Sequence, residues 1–154
     1  MRPLLFVFLT VLLGIYSCSS SQHLNDQKIQ QGLEGTVQIV KGNNMPSPDL
    51  PPTKPKPYPT TVYIHALTNV AQLTVLNKSG LNSAVLTPLI ATVETDSTGH
   101  FRLELPPGQY SVFVKYKNGF YANWFNEKNQ IGPSVVEEKK ITQLNLLISA
   151  EASF

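Results

Sequence analysis

The chain has 154 residues, of which 42% are hydrophobic and only 14% charged, with a formal net charge of +2. Its lysines and arginines are scattered, which argues against a nucleic-acid partner. A single cysteine excludes any disulfide within the chain, so the folded part must rest on its apolar core.

Arg2 is followed by the apolar run 4–15 and then by Tyr16, Ser17 and Cys18. A basic start, an apolar segment of about 12 residues and a small residue before the cut read as an export signal over residues 1–17. The run falls short of the roughly 20 residues needed to span a bilayer. Ile15-Tyr16-Ser17-Cys18 resembles a bacterial lipobox, although Tyr16 stands where that motif usually has a small residue. A lone thiol in an exported chain needs an explanation, and lipidation of Cys18 supplies one. The membrane is then a partner through that lipid. Residues 18–30 are polar and read as a flexible tether. No acidic residue follows Cys18 before Asp26, which by sorting rules for such proteins implies an outer-membrane anchor facing the periplasm.

Residues 31–154 suffice for one domain with one core. Val37 and Ile39 mark an opening strand that Gly42-Asn43-Asn44 ends. Seven prolines lie between Met45 and Pro59, favouring an extended connection over a ladder strand, with a proline-reading partner as the functional alternative. Val62, Ile64 and Ala66 alternate with polar neighbours and predict a second strand. Residues 68–88 are weakly patterned, with a short strand expected around 73–76. Leu89, Ala91 and Val93 predict the strand that leads into Asp96, a turn residue before a left-handed Gly99.

Residues 95–116 carry the clearest pattern. Phe101, Leu103 and Leu105 alternate with polar residues, as do Tyr110, Val112 and Val114. Pro106-Pro107-Gly108-Gln109 between them has turn chemistry. Read as a hairpin, it pairs Leu105 with Tyr110, Leu103 with Val112 and Phe101 with Val114, and places Gly108 at positive φ. A tight turn at Lys117-Asn118-Gly119 then leads to Phe120, Tyr121, Trp124 and Phe125. Val135-Val136 and 141–150 supply the closing strands, with Leu144, Leu146 and Ile148 inward.

Thr95, Asp96, Gly99 and Phe101, followed by Leu105, Pro106, Pro107, Gly108, Tyr110 and Val112, resemble the motif of the carboxypeptidase regulatory-like domain. That resemblance implies a single seven-stranded Greek-key β-sandwich of the prealbumin-like group, all-β and mostly non-catalytic. Isolated His23, His65 and His100 lack zinc spacing, and no nucleophile elbow or phosphate loop is present. No catalytic residue, metal or cofactor is therefore expected. Relatives on this fold include hydroxyisourate hydrolase, but its tail motif is missing here. Others form a Lys–Asn isopeptide, for which Lys41, Asn145 and Glu104 are the right residue types. Glu104 and Asn145 alternate out of phase with the apolar faces, which leaves no desolvated acid for that reaction. The expectation is a structural or accessory envelope module. The alternative is a carbohydrate- or peptide-binding module with Tyr121, Trp124 and Phe125 as ligand contacts.

Overall fold

The computed structural model describes residues 29–45, 53–75, 77 and 79–154. The expected signal segment, Cys18, the tether before residue 29 and the prolines at 46, 48, 51 and 52 lie outside the described residues. The chain folds as an all-β sandwich. Seven strands of five or more residues build it: β1 (Gly32–Asn43), β3 (Thr61–Ala66), β6 (Leu81–Val85), β7 (Leu89–Glu94), β8 (His100–Glu104), β9 (Gly108–Tyr116) and β13 (Ile141–Ser153). Six shorter strands accompany them: β2 (Lys56–Pro57), β4 (Thr68–Asn69), β5 (Leu73–Val75), β10 (Gly119–Tyr121), β11 (Gln130–Ile131) and β12 (Pro133–Val136).

One sheet centres on β1, which pairs in parallel with β13 and antiparallel with β8 and β2. The other runs β5-β6-β10-β9-β3-β7, with β12 also on β9. The apolar residues read from alternation point inward, except Leu89, which lies past a register shift against β3 and is exposed. Leu33, Val37, Phe101, Leu146 and Ile148 from the first sheet meet Val62, Ile64, Val112 and Val114 from the second, all essentially inaccessible to water. Burying each such side chain contributes about 1.5–3 kcal/mol, so this interface dominates folding.

The expected hairpin between β8 and β9 does not form. Phe101 pairs with Gly35 and Leu103 with Leu33 on β1, whereas Val112 pairs with Ile64 and Val114 with Val62 on β3. Residues 105–107 carry the chain from one sheet to the other, so the two apolar faces meet across the core. Alternation brings those faces together equally well side by side or face to face, and the pattern alone cannot separate the two. Prolines 106 and 107 offer no N–H to a continuing ladder. Gly108 has no positive φ, so the left-handed turn expected there is absent as well.

The turn into β8 matches its expectation. Gly99 has φ 78°, and the Asp96 carboxylate accepts from the backbone N–H of Thr98 (2.8 Å) and of His100 (3.0 Å). Lys117-Asn118 closes a two-residue turn that pairs Tyr116 with Gly119. The weakly patterned stretch 68–88 has a purpose that its pattern hid. Together with 122–131 it covers the outer face of the second sheet, burying Phe113, Ala122 and Ile131 in a second cluster. β9 is thereby buried on both faces.

Candidate functional site

The aromatic residues at 120–125 do not share one surface. Tyr121 ends β10 pointing into the main core, 1% exposed, with its ring 6.1 Å edge-on from that of Tyr116. Its hydroxyl accepts from the Ser149 backbone N–H at 3.1 Å, tying β10 to β13. Phe120, on the opposite face, meets the Tyr63 ring edge-on at 5.0 Å, with the Lys115 ammonium 5.3 Å from its centroid. Trp124 is half-buried and packs against both clusters. Phe125, whose backbone forms an isolated bridge with Ile131, leaves its side chain 66% exposed. Of the three candidate contacts, one is in the core, one is wedged between two cores and one stands alone. As neighbours on a strand, Phe120 and Tyr121 take opposite faces, but the strand ends at Tyr121 and the alternation ends with it.

A buried polar cluster, not anticipated from the sequence, sits beside the second core. Ser111 Oγ donates to the Ile131 carbonyl at 2.6 Å and accepts from the Thr68 N–H at 2.9 Å. Thr68 Oγ1 donates to the Ala66 carbonyl at 2.8 Å, so the Thr87 hydroxyl, 2.7 Å away, is the donor to Thr68. His65 Nδ1 lies 2.9 Å from the Thr87 carbonyl, which can only accept; Nδ1 therefore carries the proton. His65 also meets the Phe113 ring edge-on at 5.6 Å. Nucleophilic catalysis needs a hydroxyl that gives its proton to a base. The one proton of Ser111 goes instead to a backbone carbonyl, in a site closed to water. These groups satisfy the backbone of the covering loops, as buried polar groups must. The signal was present in the sequence as Ser111 and Thr68 beside apolar strands, but the two lie 43 positions apart, with Ile131 and Thr87 a further 20 and 19 positions from them, and they meet only once the sheets are assembled.

Two charged clusters lie outside the cores. On the outer face of the first sheet, Glu34 accepts from Arg102 at 2.8 Å and contacts His100 Nε2 at 3.1 Å. The Arg102 hydrogen bond, with help from His100, holds the Glu34 carboxyl below the usual carboxylate range. At the far end of β13, Glu151 binds Lys117 and, at 3.0 Å, Lys41. Lys117, then Tyr116 and Lys41, push its carboxyl down to about 2. Burial, then Glu151, push the Tyr116 hydroxyl up. The isopeptide trio is not assembled: Lys41 faces Glu151, Asn145 accepts from Thr36 at 3.1 Å, and Glu104 is exposed beside Gly32 at the opposite end of β1. Among the described residues no group of three or more His, Cys, Asp or Glu side chains could hold a metal ion. No helix among them is long and apolar enough to cross a membrane. Comparison with known proteins finds no matching family model, curated protein or solved structure.

Proposed function

We propose that this chain is an exported envelope protein, anchored by lipid on Cys18, whose sandwich serves a structural or accessory role without catalysis. The observation that carries the structural part is the use of the aromatic residues. Tyr121 is core and Trp124 joins the two clusters, so the rings most suited to a ligand platform are committed to packing. Seven longer strands in two sheets are also what a carboxypeptidase regulatory-like domain would require, and the motif 95–112 supports that kinship. The anchor rests on the sequence: one cysteine, directly after an apolar segment, in a chain with no thiol to pair it. An outer-membrane site facing the periplasm follows from the same stretch.

The anchor is tested by replacing one atom. In cells fed radiolabelled palmitate, the wild-type chain should take up label and partition into detergent. Cys18→Ala should lose the label and move to the aqueous phase. Equal detergent partitioning of the two chains would refute lipidation.

A further inference from the structure

We propose that β7 is the pairing edge of a symmetric homodimer, two copies joining antiparallel about Thr92 to make one continuous sheet. β7 pairs with β3 alone among the described strands. The Thr95 N–H donates to the Thr60 carbonyl at 2.9 Å, which sets the phase of the antiparallel ladder. By alternation, Val93 and Ala91 bond to β3, while the N–H and C=O groups of Thr92 and Glu94 point off the open edge. Such a row is a template for another strand, and proteins usually block it with charge, proline or a bulge.

Here the blocks stand only at the ends. Residues 83–93 contain no charged side chain. Pro88 precedes the strand, Glu94 ends it, and the register shift against β3 leaves Ile90 as a bulged residue. Between them Ala91, Thr92 and Val93 are unguarded. Just outside, Leu86, Leu89 and Ile90 are 68%, 52% and 49% exposed, an apolar run with no cover among the described residues.

The edge complements itself. Pairing about Thr92 sets Ala91 against Val93 of the copy, and both already pack against the core, so the core would continue across the junction. Glu94 would face Ile90 of the copy, so no charge opposes its like. So short a strand pair buries less than the roughly 1,200–2,000 Å² of a standard interface, so a weak, concentration-dependent dimer is expected, with Kd of micromolar order or above. This inference does not depend on the lipid anchor.

The test is register-specific cross-linking of the full chain under mild oxidation, with sedimentation velocity of the purified protein across a concentration series. At the two-fold axis the Thr92 Cα atoms would lie about 5.5 Å apart, within disulfide reach. Two copies of Glu94 would lie about 13 Å apart along the strands. Above the background that Cys18 gives in the wild-type chain, Thr92→Cys should therefore cross-link efficiently and Glu94→Cys at least tenfold less. Thr92→Lys should sediment as a monomer at concentrations where the wild type is dimeric. Failure of Thr92→Cys to exceed Glu94→Cys, a monomeric wild type throughout, or a dimer that survives Thr92→Lys would each overturn the proposal. Cross-linking also decides the matter should Thr92→Lys fail to fold.

Discussion

Gly99 is a single residue on which the path of the chain depends. Its φ of 78° is unfavourable for any side chain, and an added Cβ would sit 2.3 Å from the Val37 carbonyl oxygen. Gly99→Ala should cost at least about 1–3 kcal/mol, the range for one strained backbone position. At Gly108 the nearest atoms to an added Cβ belong to the Tyr110 side chain, the hydroxyl oxygen at 3.1 Å and the ring from 3.2 Å, and φ is not positive. Gly108→Ala should cost under about 1 kcal/mol. Chemical denaturation of both variants checks the ranking, and equal losses would contradict it. Glu151 offers a test by pH. Its folded carboxyl is held near about 2 against an ordinary 4.5, first by Lys117. A lowered carboxylate contributes stability that is complete above its unfolded value and is lost as pH falls through the folded one. Stability should thus decline between about pH 4.5 and 2, and Glu151→Gln should decline less over that window. The group is at the surface, so added salt should shrink the difference. Parallel pH profiles of the two proteins would refute the role of this ion cluster.

At the scale of elements, the strands were legible and their partners only in part. Of the seven longer strands, all but β6 coincide with an alternating or apolar run, from Val37 and Ile39 through Leu144, Leu146 and Ile148; β6 lies in the weakly patterned stretch. Period-two alternation records which face is buried, a local property that sequence expresses directly. Whether Phe101 lies beside Val114 or across from it depends on the other sheet, and nothing between residues 95 and 116 encodes that. Residues 68–88 were obscure for a related reason. They cover Phe113 with short strands and polar caps, such as Asn69 and Gln72 around the single turn Val70–Gln72, so they carry no sustained period. The contrast between crossing and hairpin is measurable by NMR. Backbone contacts should link β8 to β1, with Phe101 near Gly35. Contacts between the Phe101 and Val114 backbones would restore the hairpin.

In the whole molecule, Tyr121 and Trp124 are committed to packing, Trp124 against both clusters, and this supports the proposed scaffold over a ligand platform. The candidate contacts were legible as a cluster because Phe120, Tyr121, Trp124 and Phe125 are close in sequence. Their dispersal was not, because it follows from where β10 ends and from loops that fold over the second sheet. Trp124 is the only tryptophan and touches both clusters, so it reports on the claim directly. Trp124→Ala should destabilise by about 2–3 kcal/mol, below the range for a fully buried ring because this one is half-buried. The most direct measurement is the emission of the native protein with acrylamide quenching. A blue-shifted maximum and protection from the quencher, both lost on unfolding, are expected. Red-shifted, freely quenched emission from a fully folded protein, with Trp124→Ala as stable as wild type, would contradict the scaffold.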